Sequence, residues 1–212
     1  MQAAARSTLE RIAKGLDGVR ELRAEYTQEQ HSLLLDEPLV SSGHLHLRAE
    51  PGCIVLEVEK PRPALIRSDS KSHLVYHPTT KRAERFLFES NELTKALLAC
   101  FTADLARIEG LFSITAYSED PATKRATLSL QPERDEIRAA VRSLTLEIDL
   151  ATGLPTRIIQ VNPEGEELRL SLRNTVRNPE RRPGDIAIFD RPLPKDVVVS
   201  ERSVPSTGSH ER

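Results

Sequence analysis

The feature that most constrains this chain is a two-residue apolar rhythm that restarts after one turn after another. Leu144, Leu146, Ile148 and Leu150 alternate with Thr145, Glu147 and Asp149, and Leu168, Leu170 and Leu172 alternate with Arg169, Ser171 and Arg173. Successive strand side chains point to opposite faces, so each such run has one oily and one wet side. The same rhythm runs through Leu22, Ala24 and Tyr26, through Gly43, Leu45 and Leu47, and through Ile54, Leu56 and Val58. Turn chemistry separates the runs: Asp36-Glu37-Pro38, Ala49-Glu50-Pro51-Gly52, Glu119-Asp120-Pro121, Ala151-Thr152-Gly153 and Pro163-Glu164-Gly165. Turns at roughly 8–12-residue spacing are those of an antiparallel meander.

Between Pro63 and Pro78 the chain reads as a hairpin. Leu65-Ile66 and Leu74-Val75-Tyr76 flank a Ser-Asp-Ser-Lys-Ser centre, where Asp69 and its serines can hydrogen-bond the local backbone. Pro61, Pro63 and Pro78 stop either strand from extending. Arg82–Phe88, Phe112–Tyr117, Ala126–Leu130 and Pro155–Val161 supply further strands.

Helical periodicity occurs in few places. Leu9, Ile12, Ala13, Leu16 and Val19 mark an amphipathic helix over Ala3–Leu22, either packed as core or acting as a movable lid. After the Ser90-Asn91 start signal, Leu93, Ala96, Leu97, Cys100 and Phe101 form a second apolar stripe, which Leu105 and Ile108 extend. Glu133–Val141 reads as a brief helical or irregular excursion. The expected organisation is one domain over residues 1–199, with a polar, disordered tail over 200–212.

Charge excludes one partner class. Thirty Lys plus Arg against 32 Asp plus Glu leaves no basic footprint, so nucleic acid is not expected. No apolar run reaches the roughly 18 residues of a spanning helix. Met1-Gln2-Ala3-Ala4-Ala5-Arg6 has no secretory-signal pattern, so either the protein is cytosolic or a signal was removed from the sequence in hand. Cys53 and Cys100, the two cysteines, lack zinc or redox spacing; they are either bridged or, more ordinarily, two buried thiols. His44 and His46 share a strand face, with His73 and His77 on the later hairpin, but no carboxylate is fixed beside them by spacing. Solvated polar histidines are the expectation, with no metal and no cofactor. No Gly-x-Ser-x-Gly elbow, His-Glu-x-x-His pair or phosphate-cradling glycine loop is present, and no enzyme is expected.

About ten or eleven strands, nearly all one-sided, make a sheet that must curl, and two helical segments can cover its hollow without filling it. The fold class expected is mostly β with capping helices, an antiparallel half-barrel under an N-terminal and a central helix. An apolar hollow of that kind suits a lipid-like ligand. Its lining follows from the alternation: Leu45, Leu47, Ile54, Leu56, Leu144, Leu146, Ile148 and Leu170, with Leu16 on the first helix and Leu97 and Phe101 on the second. A one-residue slip in register would exchange the faces.

The order of parts resembles the LolA family of outer-membrane lipoprotein carriers. Leu22-x-x-x-Tyr26-Thr27-Gln28 is similar to its first-strand motif, Gly43-x-Leu45 with Pro51-Gly52 to its second strand and turn, and Ser68-Asp69-Ser70-Lys71 with Leu74, Tyr76 and Pro78 to its hairpin. Leu130-Gln131-Pro132, Asp149 with Gly153, and Phe189-Asp190-Arg191-Pro192 follow in the same order. The resemblance implies a monomeric periplasmic carrier that holds the acyl chains of a lipoprotein or lipid. It would receive them from an inner-membrane transporter and deliver them to an outer-membrane acceptor, without chemistry. Departures are specific. Glu50 stands where the family has an arginine tied to lid closure, Arg48 lies two positions back, and Ser70 replaces the hairpin glycine. An alternative of another class is a periplasmic sensor resembling RseB, which binds lipid signals and a regulatory protein; a third is a cytosolic β-scaffold binding protein.

Overall fold

The structure is a computed structural model, and it describes residues 6–7, 10, 13–14, 18–88, 94, 105–180 and 187–204. The expected helices over Ala3–Leu22 and around Leu93–Phe101, with Leu16, Leu97, Cys100 and Phe101, lie largely outside those residues.

Alternation becomes one 12-stranded sheet. In chain order the strands are β1 Glu21–His31, β2 Leu39–Arg48, β3 Cys53–Lys60, β4 Ala64–Asp69, β5 Ser72–His77 and β6 Arg82–Phe88. After α1 (Leu105–Leu111) come β7 Phe112–Asp120, β8 Arg125–Pro132, α2 (Asp135–Arg138), β9 Ser143–Asp149, β10 Pro155–Val161, β11 Glu167–Arg177, a 3₁₀ turn at Ile188–Asp190 and β12 Val198–Val204. Their order across the sheet is β12-β6-β5-β4-β3-β2-β1-β11-β10-β9-β8-β7. Two antiparallel meanders, β1–β6 and β7–β11, are therefore joined by the long β1–β11 pairing. Strand β12 alone runs parallel to its neighbour, β6.

β12 corrects the expectation of disorder beyond Val199. Ser200–Val204 pairs with Glu84–Phe88. The segment is polar and has no second neighbour in the sheet, so backbone hydrogen bonds rather than burial hold it, and periodicity carries no trace of it. Residues 205–212 lie outside the described residues.

Register decides the faces. Leu22 pairs with Leu47, Ala24 with Leu45 and Tyr26 with Gly43; across the next pair Leu45 meets Leu56 and Leu47 meets Ile54. On the other meander Leu128 and Leu130 meet Leu146 and Leu144, and Leu146 meets Ile158. All of these share what we call the core face. Ile108 and Leu111 of α1, Phe112, Ile137 of α2 and Val141 join the same cluster. Irregularities interrupt the register at Arg23/Glu25, Ser42/Gly43, Ile114/Ala116 and Pro155/Arg157, and the paired aliphatics named above lie on one face.

Turn chemistry works as the side chains suggest. Asp69 Oδ1 accepts from the backbone N–H of Lys71 (2.8 Å) and Ser72 (2.7 Å), and Oδ2 accepts from Ser72 Oγ (2.8 Å). Asp149 caps its turn likewise through the N–H groups of Ala151 and Thr152 (2.7 and 3.0 Å), with Gly153 at φ +70°. At Gly43 backbones approach closely: a Cβ there would lie 1.9 Å from the Glu57 carbonyl oxygen. Only glycine lets β2 and β3 pair at that irregular point, and Tyr26 lies across from it.

Candidate functional site

The core face has two unequal halves. Where β1, β2 and β7–β11 meet the helical pieces, aliphatic side chains pack to near-complete burial. Leu45, Leu47, Ile54, Leu144, Leu146 and Ile148 all belong to that packed cluster. Leu56 and Leu170 are half-buried against it. Leu16, Leu97 and Phe101 lie outside the described residues. Alternation thus brings eight of the eleven expected lining residues onto one face, six of them inside packed core.

The other half is less covered. Leu56 pairs with Ile66, Ile66 with Val75, and Ile54's row continues through Ser68 and His73 to Phe86. Ile66, Val75, Phe86 and, by parity, Phe88 share the core face, and all four are half-buried. These side chains form a half-buried row, a strip across β3–β6 beside the packed core, with exposed Glu84 opposite Val75 on the same face. Sequence reasoning placed Phe86 and Phe88 in one row but did not assign that row to the inside. Strands β4 and β5 carry apolar residues on both faces, so only the pairing register could decide.

Besides Glu84, one polar pair interrupts the row. Ser68 Oγ lies 2.7 Å from His73 Nδ1, and burial holds the His73 imidazole below its ordinary pKa. The neutral ring, tilted against Phe86 with centroids 6.2 Å apart, adds little to the cost of desolvating the strip.

The opposite, outer face carries His44 and His46 among polar side chains on β2, and buried Val55, Leu74 and Ala83 across β3–β6. Here the histidines separate, for His73 lies on the core face. Contrary to expectation, carboxylates do stand beside the first two. His46 Nε2–H donates to Glu57 Oε2 at 2.8 Å, and His44 Nε2 lies 3.5 Å from Glu59. That hydrogen bond, against the opposing cost of burial, holds the Glu57 carboxyl below its usual range. Among the described residues no three His, Cys, Asp or Glu side chains group as metal ligands.

Across the outer face runs a strap, residues 187–197. Phe189 and Ala187 bury against Cys53 and Val55 in a second, small cluster. Arg48 Nη1 donates to both Asp190 oxygens (3.0 and 2.9 Å), and its guanidinium lies 4.8 Å from the Phe189 ring centroid. Arg67 Nη1 donates to the Phe189 and Arg191 carbonyls at 3.0 and 3.3 Å. Arg48 therefore points away from the core face and ties down the strap. The Phe-Asp-Arg-Pro motif is the counterpart that it grips. Cys53 beneath is a free, buried thiol whose pKa burial pushes up to about 11. A cavity of about 620 Å³ borders the strap, lined by Arg48, Cys53, Arg67, Asp69, Lys71 and Phe189. Arg48 and Arg67 in it are engaged by the strap itself.

The chain is an open, mostly antiparallel sheet with a packed apolar core on one face and a strap across the other. The family model described as "Outer membrane lipoprotein carrier protein LolA" matches residues 17–185. The chain belongs to that family. Among solved structures, an uncharacterized conserved protein from Thermus thermophilus superposes with a TM-score of 0.54 at 15% identity, covering 94% of this chain and 99% of that one. A putative outer membrane lipoprotein-sorting protein domain from Vibrio parahaemolyticus gives 0.46 at 13% identity, with 85% and 96% coverage. The Mycobacterium tuberculosis lipoprotein LppX gives 0.47 at 9%, with 85% and 99%. The first of these likenesses concerns the fold alone. Comparison with curated proteins finds no match.

Proposed function

We propose that this protein is a periplasmic carrier that shelters the acyl chains of a lipoprotein or lipid on the β3–β6 strip and takes them from the inner to the outer membrane. The observation that carries this reading is the strip itself: Leu56, Ile66, Val75, Phe86 and Phe88 stay half-buried on the face where Leu45 and Leu47 of β2 and Ile54 of β3 are packed. Membership of the LolA family supports it. An acyl chain of about a dozen methylenes forfeits on the order of 10 kcal/mol when it enters water, at about 0.8 kcal/mol per CH₂. A carrier must supply an apolar strip of comparable length and then release it.

Carriage needs no bond making. Loading would replace water on the strip, and unloading needs only an acceptor with more apolar surface to offer. The test is extraction of an acylated lipoprotein or lipid from inner-membrane vesicles by the purified, lipid-free chain, followed by transfer to outer-membrane vesicles. Uptake and transfer support carriage. Uptake without transfer, together with capture of a regulatory protein, would replace it with the sensor reading.

A further inference from the structure

The β1–β2 turn carries an apolar display that the acyl-binding reading does not use. Leu33, Leu34 and Leu35 are 75%, 90% and 47% exposed, and Leu39 and Val40, where the chain returns, are 58% and 52% exposed. These five side chains do not form a face. Three are consecutive around a turn, and Leu39 and Val40 are successive strand residues that point to opposite sides. Apolar surface therefore lies on more than one side of the hairpin tip, interrupted by exposed Asp36 and Glu37.

The tip is also held in place. Leu35 N–H donates to the Ser32 carbonyl (3.3 Å) and Leu34 N–H to Ser32 Oγ (3.3 Å). Ser32 Oγ in turn donates to Glu166 Oε1 at 2.6 Å, and Asn162 holds Glu166 through Nδ2–H to Oε2 at 3.1 Å. The base of the hairpin is thus stapled to the β10–β11 turn, and the leucines are presented rather than left to collapse.

A protein groove can cover one side of such a tip; a fluid apolar phase covers every side at once. The surrounding charge says which fluid phase. From Ala24 to Leu47 there is no Lys or Arg, while Glu25, Glu29, Asp36 and Glu37 are present. An anionic leaflet would repel this hairpin, and a net-neutral one would not.

We propose that the β1–β2 tip docks the protein on membranes by inserting Leu33, Leu34 and Leu35 at the headgroup–acyl boundary of a zwitterionic bilayer. Docking stands on the tip alone, so it succeeds or fails separately from acyl-chain carriage.

The chain contains no tryptophan, so Leu34→Trp places a single indole at the tip. Vesicles of phosphatidylcholine should shift its emission to the blue, and vesicles with an equal share of phosphatidylglycerol should do so more weakly at low salt. The triple variant Leu33→Asn, Leu34→Asn, Leu35→Asn should co-float with phosphatidylcholine vesicles on the order of tenfold less well than the parent. Leu39→Ser, outside the turn, should give a smaller loss and serves should the triple variant misfold. An emission unmoved by saturating phosphatidylcholine, or undiminished flotation of the folded variants, would overturn the proposal. A blue shift that grows with protein concentration in the absence of vesicles would assign the tip to a second copy and overturn it equally.

Discussion

Replacing Leu146 and replacing Ile66 by alanine should do opposite things, although both are aliphatic and share one face of one sheet. Leu146 is 1% exposed, between Leu128 and Ile158 on the neighbouring strands. Removing its isobutyl group leaves a cavity that packed neighbours cannot fill, at a cost of about 3 kcal/mol within the usual 2–5 for such sites. For a chain of this length that lowers Tm by roughly 6–12 °C. Ile66 is half-buried, pairing with Leu56 and Val75, so truncation there removes little cohesion, on the order of 1 kcal/mol or less. It does remove methylene contacts from an acyl chain, weakening lipid binding by about five- to tenfold. Thermal unfolding followed by circular dichroism reads the first quantity, and displacement of an environment-sensitive fatty-acid probe reads the second. If Leu146→Ala kept its Tm but lost probe binding, with Ile66→Ala doing the reverse, the partition into packed and receptive halves would be refuted. The same reasoning says that Leu146→Asp with Ile148→Asp abolishes folding before it reports on ligand.

Three further outcomes follow from local geometry. Gly43→Ala drives a Cβ against the Glu57 carbonyl and should destabilise by about 3 kcal/mol, seen as a lower urea midpoint with the slope unchanged. Arg48→Ala should release the strap, raising amide exchange and proteolysis over residues 187–197, while global stability falls by only about 1–2 kcal/mol. Acid should weaken the fold in two windows. His73 has a depressed folded pKa, so the unfolded chain binds the extra proton first and stability falls as pH drops below about 6.5. Glu57 is also depressed, so its contribution is complete above about pH 4.5 and is lost below that; denaturation of Glu57→Gln against pH should lack the second decline.

Most of the sheet was legible because its signal is local. Alternation in Leu144–Leu150 or Leu22–Tyr26 needs no knowledge of partners, and the Asp69 and Asp149 turns announce themselves through side chains that bond their own backbone. What was illegible depends on pairing. Leu65 and Ile66 are both apolar, and only the Leu56–Ile66–Val75 register tells which belongs inside. Glu57 comes to His46, and Asp190 to Arg48 across 142 residues, by sheet register and chain path that no spacing rule encodes. Strand β12 rests on backbone pairing to β6, and its valines at Val198, Val199 and Val204 follow no two-residue alternation, so periodicity is blind to it. Packed and receptive aliphatics look identical in sequence, which is why Leu45 and Leu146 stood beside Leu56 as candidate lining.

The central claim, that the β3–β6 strip shelters acyl chains, is tested most directly by native mass spectrometry of protein purified from the cells that make it. A discrete adduct that fragments to acyl-bearing lipid or lipopeptide, and is diminished in Ile66→Ala, is the predicted result. A spectrum showing only the bare polypeptide mass under conditions that preserve non-covalent complexes would contradict it.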